Sequence, residues 1–560
     1  MKRKLGWFGL GFAGAELAAA ILPPLVCVPA AAFLVCLALL WIKRRRDSAI
    51  PVLGALCGLA WFLVFTLVWV RPVKALAGQT VTCTAVVETD ADASYSESRL
   101  RGTLRLTEID GRAANVKVQC ASFPGESAGE RFTAKFALTE LPDNKYRLSR
   151  QSKGVYLQAE YLGSYHPLDA SRAPRFALYR LRQRWSATLR RWLPRQLDGI
   201  ESAMLLADKS RLDDTTQQAF RTAGVSHLLA VSGLHLALLC GLFSFGRRRR
   251  FYRPLILVRA AVAVFYMLLT GLPISVLRAG IVFLLVLLGD WFYQPIDLLT
   301  LTGAAAVLLG LQNPYAPCDI GFQLSFCAVL GVQASVALTR WEEAHIPGQD
   351  AKGWQAQLRR AGLTVLSTVQ TAALASLATL PVLVAQGLTT SGVGVLANLL
   401  TVWMLQPALV LGLVVLALQI VAIPLAIAAP LAHMASFLLA VWLRIFYALA
   451  SWCAALPLAR LYLPREYTLL VLVLLGILAL VYYAAGRFRW FLPAGVVCAA
   501  VAIVLGVQMQ KGVVTMALVG TAGNPAVVCV QDGQAVVLFR GGETNLRAVR
   551  SYLADHGAAE

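Results

Sequence analysis

An apolar stretch, residues 224–243 (GVSHLLAVSGLHLALLCGLF), contains the polar side chains of this chain that are most able to take part in chemistry. Hydrocarbon cannot hydrogen-bond His227, Ser232 and His235, so their side chains must face protein or a hydrated path. On an uninterrupted helix, His235 would lie about 80° from His227, and Ser232 about 140° from it. The three would then share one polar arc, although the Ser232-Gly233 pair favours a bend or break. Hydrogen bonding between packed helices is the alternative role for such groups.

Four further polar residues lie in apolar segments downstream. Arg278 lies in GLPISVLRAGIVFLLVLLG, Gln323 and Ser325 lie in DIGFQLSFCAVLG, and Asn398 follows a glycine-rich segment. An arginine deep in a span usually faces an interior partner or water, and the alternative is a cation that locks helices together. The glutamine, serine and asparagine are individually weak signals, which packing between helices also explains.

Several chemistries have no support in this sequence. The chain has no G-x-x-x-x-G-K-[ST] loop for ATP and no H-E-x-x-H motif for zinc. His227 and His235 are eight residues apart with no acid between them, whereas two histidine ligands on one helix usually stand at i, i+4. Ser232 and His235 could form a nucleophile and base, but no carboxylate lies nearby in sequence to orient the histidine. We therefore predict no metal and no cofactor.

The composition is that of a membrane protein. Hydrophobic residues make up 58% of the 560 residues and charged residues only 14%, against about 25% charged in soluble domains. Many windows exceed the roughly 18 apolar residues that a membrane-spanning helix needs. We predict a polytopic α-helical membrane protein with about thirteen transmembrane helices, three before a polar region and about ten after it.

The basic clusters predict the orientation of the chain. Lys2–Lys4, Lys43–Arg46 and Arg247–Arg250 should lie in the cytoplasm, since loops on that side are enriched in lysine and arginine. Spans near 5–22, 25–42 and 50–70 then place residue 71 outside, and a span over 224–245 runs inward.

Residues 71–165 have the alternating pattern of strands. TVTCTAVVE, SRLRGTLRLTEI, NVKVQCASF, RFTAKFAL and GVYLQAEYL are separated by turn signals such as Asp110-Gly111. About five strands in about ninety residues suit a small antiparallel barrel, with an OB-fold as one candidate. Cys83 and Cys120 share parity with apolar neighbours and are the only cysteines of this external region, so we predict a disulfide between them.

Residues 172–195 (RAPRFALYRLRQRWSATLRRWLPR) contain eight arginines and no acid. Their spacing predicts an amphipathic helix with two distinct faces. Such a helix can lie in the membrane surface, or it can attract phosphates while its aromatics stack on bases. Both roles could hold together, and they involve two sets of side chains: the cations Arg180, Arg184, Arg191 and Arg195, and the aromatics Trp185 and Trp192.

Four motifs in this chain resemble those of the ComEC competence proteins, the DNA-uptake channels of naturally transformable bacteria. HLLAVSGLHL (227–236) is similar to the family signature, and YMLLTGLPISVLRAG (266–280) to its next motif. LLGLQNPYAPCDIGFQLSFCAVLG (308–331) resembles the long Asn-Pro motif, and the segment from Pro381 to Leu400 fits a fourth. The resemblance covers about residues 1–510.

The resemblance implies a channel that passes one strand of DNA across the bacterial plasma membrane. It makes His227, Ser232, His235, Arg278, Gln323, Ser325 and Asn398 candidates for the DNA path. Its implied partners are single-stranded DNA, membrane lipids, a DNA-receptor protein outside, a helicase or ATPase inside and, as a possibility, further copies of the chain. The implied domains are 1–70 (N-terminal helices), 71–170 (external OB-like β domain), 171–223 (amphipathic helix and connecting segment), 224–510 (channel) and 511–560 (a short β-rich remnant).

The tail departs from the longest family members, which continue into a metallo-β-lactamase-like domain. Residues 513–557 resemble only the opening strands and first helix of that domain. The region holds His556 but no H-x-H-x-D-H motif, and one histidine cannot form a two-metal site. We therefore expect no metal-dependent nuclease activity, and we do not expect this chain to be an enzyme.

Two other functions are consistent with part of the sequence. A transporter of a smaller anionic solute or lipid would share the polar segments, but it would not need the β domain or the basic aromatic helix. An intramembrane hydrolase would use Ser232 and His235. A gene neighbourhood with pilus-like and DNA-receptor genes would favour the channel.

Overall fold

The structure is a computed structural model that forms two compact units. The first unit takes Met1–Asp213, His227–Gln333 and Trp403–Ile445, and the second takes Asp214–Ser226, Ala334–Val402 and Phe446–Glu560. The structure describes residues 4–22, 50–88, 100–123, 127–144, 146–171, 173–241, 252–294, 297–345, 354–388, 390–422, 428–457, 512–520, 524–531 and 534–555, and the single positions 459, 468, 471 and 508.

Glycines set the packing of the N-terminal helices in the first unit. Helix α1 (Lys4–Ile21) lies between α2 (Ile50–Lys74) and α10 (Leu298–Gln312). A Cβ atom added at Gly9 would overlap the backbone of Gly303 in α10. The two backbones approach this closely only because neither residue has a side chain, which is the usual device for tight helix packing in membranes.

Residues 80–168, which the sequence predicted to be an external β domain, form a closed five-stranded barrel. Its strands are β1 (Thr80–Val87), β2 (Leu100–Ile109), β3 (Arg112–Phe123), β4 (Arg131–Glu140) and β5 (Val155–Leu168). They follow the order β1-β2-β3-β5-β4 and close through the β1–β4 pair. The β3–β5 pair is parallel and the others are antiparallel. A short helix, α3 (Arg147–Gln151), lies between β4 and β5.

The predicted disulfide between Cys83 and Cys120 is wrong. Both side chains are buried in the barrel core, as their parity predicted, but no disulfide joins them. Strand β2 lies between β1 and β3, and on it Cys83 pairs with Ile109 while Cys120 pairs with Gly102. Seven residues of strand correspond to roughly 23 Å, far beyond the 7 Å Cα separation that a disulfide can bridge. Burial, reinforced by Asp110, raises the pKa of the Cys83 thiol to about 12.

The remaining helices of the first unit connect the barrel to the apolar segments. Two helices follow the barrel, α4 (Pro174–Trp192) and α5 (Arg195–Leu206). The apolar part contains α7 (Gly233–Gly241), α8 (Tyr252–Leu269), α9 (Ile274–Trp291), α10, the start of α11 (Ile320–His345), α14 (Leu405–Ala422) and most of α15 (Ala428–Ala455).

The second unit contains α6 (Asp214–Thr222), α12 (Trp354–Ala385), α13 (Gly394–Thr401) and the C-terminal tail. The tail forms an antiparallel sheet of β6 (Thr515–Val519), β7 (Ala526–Gln531) and β8 (Gln534–Leu538), followed by α16 (Glu543–Asp555). These elements confirm the strands and helix expected from the sequence. Val549 of α16 packs on one face of the sheet, while the opposite face exposes apolar side chains such as Met516 and Leu538.

Within the described residues, six helices are long and apolar enough to cross a membrane. They are Ile50–Lys74, Ile274–Trp291, Ile320–Arg340, Gly362–Ala385, Gly394–Gln419 and Ala429–Ala455. The protein is therefore a polytopic helical membrane protein. The total of about thirteen spans stays a prediction. The expected span at 25–42 lies outside the described residues, as do the basic clusters at 43–46 and 247–250 and His556.

Candidate functional site

The HLLAVSGLHL segment is not one helix. Ser226–Leu228 forms a single 3-10 turn, and α7 begins only at Gly233. The prediction that His227, Ser232 and His235 share an arc of one helix is therefore wrong, and the break that the Ser-Gly pair favoured is present. His227 is exposed, whereas His235 is completely buried.

Ser232 and His235 form a closed hydrogen-bonded turn at the start of α7. The Ser232 backbone N–H donates to His235 Nδ1 at 3.2 Å, and the Ser232 Oγ lies 3.0 Å from the same nitrogen. Because a backbone N–H can only donate, Nδ1 must be the acceptor, and the proton of a neutral ring is on Nε2. No carboxylate among the described residues bonds this ring. The arrangement resembles a helix cap more than a nucleophile held by its base.

Gly233 lets this turn approach the next apolar helix. A Cβ at Gly233 would lie 3.1 Å from the Ala279 Cβ and 3.9 Å from an Arg278 terminal nitrogen. Ala279 and Arg278 belong to α9, so the signature segment and the Leu-Arg-Ala-Gly motif meet at this glycine. A larger residue there would push α7 away from the arginine.

Arg278 then connects α9 to α11. Its Nη1 donates to the Ser325 carbonyl oxygen at 2.8 Å, and its guanidinium carbon lies 5.6 Å from the centre of the Phe326 ring. Phe326 is stacked on Phe322 at 4.0 Å, so the ring that faces the arginine is held in place. The Arg278 Nε is buried and has no hydrogen-bond partner in the described structure. The guanidinium therefore retains one unused donor.

A cavity of about 200 Å³ lies beside this arginine. Its walls come from the signature helix α7, from α9, α10 and α11. Among the described residues that line it, Arg278 is the only charged one and Thr302 the only one with a hydroxyl; the others are apolar or glycine. An anionic group that entered this space would meet one fixed cation against an apolar wall.

Gln323 and Asn398 have local partners. Gln323 donates from Nε2 to the Pro317 carbonyl at 2.9 Å, which fixes the turn before α11. Asn398 lies in the second unit and donates from Nδ2 to the Gly394 carbonyl of its own helix at 2.8 Å. The structure thus brings together the motifs of Ser232, His235, Arg278 and Ser325, and it gives Gln323 a positioning contact.

Helix α4 has the two faces that its sequence predicted. Arg180, Arg184, Arg191 and Arg195, which begins α5, are all exposed. The aromatic face packs on protein: Trp185 meets Phe265 of α8, and the Trp192 ring lies 4.3 Å from that of His433 in α15. The aromatics therefore anchor α4 to the apolar helices, and the exposed arginines lie on a second face of the helix.

The turn after α5 is stabilised by a buried aspartate. Asp208 accepts hydrogen bonds from the Ser186 hydroxyl at 2.8 Å and the Ser210 hydroxyl at 2.7 Å. Desolvation opposes its ionisation, yet these hydrogen bonds lower the pKa of the Asp208 carboxyl below its usual value. The charged loop after α5 therefore holds α5 against α4.

Asn313, in the Asn-Pro motif, makes contacts that sequence reasoning missed. Its Nδ2 donates to the carbonyls of Gln151 and Ser152, each at 2.9 Å, at the end of α3 in the barrel region. Its Oδ1 accepts from the Tyr315 N–H at 3.0 Å and lies 3.4 Å from the Tyr156 hydroxyl. One side chain thereby ties the barrel to the α10–α11 connection.

Two buried carboxylic acids were also missed. Glu16 in α1 packs against Gly310 of α10, and Glu201 in α5 packs against Gly412 of α14. Both side chains are completely buried, and none of their oxygens has a hydrogen-bond partner among the described residues. The available signal for Glu16 was a single acid in an apolar stretch, since such residues are rarely without a role.

A known protein family matches the part of the chain that holds this site. The model of that family, described as "Competence protein", matches residues 204–488. The chain belongs to the competence protein family. The match covers α7 to α15 and every candidate residue of the DNA path, from His227 to Asn398.

Two characterised relatives match shorter segments of this competence protein. ComE operon protein 3 of Bacillus subtilis is 34% identical over 140 residues, and Recombination protein 2 of Haemophilus influenzae is 29% identical over 147 residues. Each match covers 24% of this chain and 18% of the relative. No solved structure matches the chain.

Proposed function

We propose that this competence protein is a channel that passes single-stranded DNA across the bacterial plasma membrane during natural transformation. The observation that carries the proposal is the position of Arg278. It stands where the signature segment, α9 and α11 meet, it lines a cavity, and it has an unused donor. Membership of the family supports the same function.

The physical problem of DNA entry explains why such a group is needed. A DNA strand has one charge per nucleotide and must cross about 30 Å of hydrocarbon. A protein path has to replace the water around each phosphate with fixed donors. Arg278, Ser232 and His235 are polar groups within an otherwise apolar bundle, so they are suited to line part of that path.

The finer architecture and the partners belong to this proposal. The strand order of the barrel supports an OB-like fold, a class that binds single strands. About thirteen spans would complete the membrane domain. Because the sequence contains no ATP-binding P-loop, the energy would come from a helicase or ATPase inside or from the proton gradient. A DNA-receptor protein outside, membrane lipids and further copies of the chain complete the proposed partners.

We propose no enzymatic step for this chain. In the described residues, no three His, Cys, Asp or Glu side chains are grouped as metal ligands. The contacts of His235 also argue against the hydrolase, because Nδ1 already accepts the Ser232 N–H. A small-solute transporter would use the same arginine, and the following experiment separates it from a DNA channel.

The direct test is transformation of a strain that lacks this gene. Labelled DNA is expected to bind the surface of the deletion strain at the level of the parent. Entry of a DNase-protected strand into the cytoplasm is expected to fall to background, and a plasmid copy of the gene should restore it. Normal DNA entry in the deletion strain would exclude the channel.

The exposed arginines of α4 and of the start of α5 are expected to capture DNA from outside. Replacing Arg184, Arg191 and Arg195 with glutamine should weaken binding of DNA by the purified protein. The slope of log binding constant against log salt should flatten by about 0.7 to 0.9 for each lost phosphate contact. Binding measured between 50 and 200 mM salt gives this slope.

A matched control lies on the same helix. Arg190 is exposed but lies about 120° away from Arg184 around the helix axis. Arg190→Gln removes the same charge as Arg184→Gln and should have a smaller effect on the slope. Equal effects of the two single variants would indicate general charge attraction without a binding face.

A further inference from the structure

A buried carboxylic acid, Glu201, lies at the contact between α5 and the apolar helix α14. Glu201 and Leu205, one helical turn apart, both lie against Gly412 of α14. The Glu201 carboxyl occupies the space where a side chain at Gly412 would be. Neither of its oxygens has a hydrogen-bond partner in the described structure, and the residue is completely buried.

Among the described residues, no cation compensates Glu201. On α4, which packs against α5, Arg182 donates to the Thr270 carbonyl and acts on Asp208. Helix α14 (LQPALVLGLVVLALQIVA) contains no charged residue. The titratable group that faces Glu201 from α8 is Tyr266, whose hydroxyl donates to the Leu205 carbonyl at 3.1 Å. On α5 itself, Asp198 is paired with Arg211 at 2.8 Å. Within the described structure, a carboxylate at Glu201 would therefore be an unpaired buried charge, which is strongly unfavourable, whereas a neutral acid is tolerated.

We propose that Glu201 is a proton-binding site. The protonated side chain packs against Gly412, and release of its proton to water leaves a charge that weakens the contact between α5 and α14. In agreement with this geometry, desolvation raises the pKa of Glu201 to about 8. The site would be occupied at neutral pH and would empty in mildly alkaline solution.

The direct test is labelling with dicyclohexylcarbodiimide, which reacts with protonated carboxyls in apolar surroundings. The full-length protein in detergent is labelled between pH 6 and pH 9.5, and the modified peptides are quantified by mass spectrometry. Labelling of Glu201 should be strong at pH 6 and fall at least tenfold by pH 9.5. Asp198, buried on the same helix but paired with Arg211, should remain unlabelled throughout and serves as the matched control.

Glu201→Gln provides an independent measurement, because glutamine imitates the neutral acid. The pKa is raised in the folded state, so stability from this group is fully present below about 4.5 and is lost as the pH rises to about 8. The variant should melt at the same temperature as the parent at pH 4 and at a higher temperature at pH 9.

Two results would overturn the proposal. One is an unlabelled Glu201 at pH 6 in a sample where Glu16 is labelled, and the other is a Glu201→Gln variant that melts lower than the parent at pH 9. Neither measurement involves DNA, so failure here leaves the proposed channel untouched, and loss of the channel leaves this site untouched.

Discussion

Replacing Arg278 with alanine is expected to abolish entry of DNA into the cytoplasm, to the level of a strain without the gene. Binding of DNA at the cell surface and insertion of the protein into the membrane should remain normal. The guanidinium stays protonated in proteins, and alanine removes both its charge and its unused Nε donor. The amount of labelled DNA that becomes resistant to DNase measures DNA entry. The amount of protein in isolated membranes measures membrane insertion.

Two variants separate the channel role of Arg278 from packing. Arg278→Lys keeps the charge but cannot donate to Ser325 and present a planar group to Phe326 in the same way, so entry should fall strongly without loss of protein. Arg253 is a neighbouring control, because it is an exposed arginine on α8 that stacks on Trp291. Arg253→Ala should transform normally. Normal transformation of Arg278→Ala would leave this residue only a packing role.

The features that sequence predicted well depend on local patterns. The five strands of the barrel were predicted within a few residues because side chains alternate between core and solvent along each strand. The inward direction of Cys83 and Cys120 followed from the same alternation. Their disulfide failed because the distance between them depends on the register of β1 and β3 across β2, which no local pattern contains.

The sequence identified residues of the candidate site, but it did not predict their geometry. Arg278 stood out because a charge in an apolar span needs a partner, and the structure supplies Ser325 and Phe326. The arc of His227, Ser232 and His235 was drawn on an ideal helix. The helix begins only at Gly233. There the His235 ring accepts the Ser232 N–H and lies within hydrogen-bond distance of the Ser232 hydroxyl, so Ser232 caps the helix instead of continuing it.

Asn313 was missed because its partners are about 160 residues away. An asparagine before a proline indicates a turn, and that reading explains only the local bond to Tyr315. The bonds to Gln151 and Ser152 appear only when the barrel has folded beside the α10–α11 connection. A substitution at Asn313 therefore tests whether these bonds hold the barrel against the α10–α11 connection.

Asn313→Ala is therefore expected to loosen the barrel region around α3. The variant loses two hydrogen bonds to backbone carbonyls, each contributing roughly 1 kcal/mol. The carbonyl of the buried Ser152 loses this donor, whereas the Gln151 carbonyl still accepts the Gly154 N–H. A total near 2 to 3 kcal/mol corresponds to an increase of roughly 30- to 100-fold in local opening. Hydrogen exchange of residues 147–157 in the full-length protein, measured by mass spectrometry, should rise by that factor.

Two controls show whether this effect comes from the donors of Asn313. Asn313→Asp keeps the acceptor for the Tyr315 N–H but removes both donors, so it should accelerate exchange at least as much as alanine. Asn144 is an exposed asparagine whose Oδ1 accepts from the Tyr146 N–H within the same region, and Asn144→Ala should leave residues 147–157 protected. Unchanged exchange in Asn313→Asp would mean that other contacts hold the barrel, such as the packing of Tyr156 and Tyr315 with Phe62. If residues 147–157 stay protected in Asn313→Ala while a strain with this variant takes up less DNA, Asn313 acts in the channel itself.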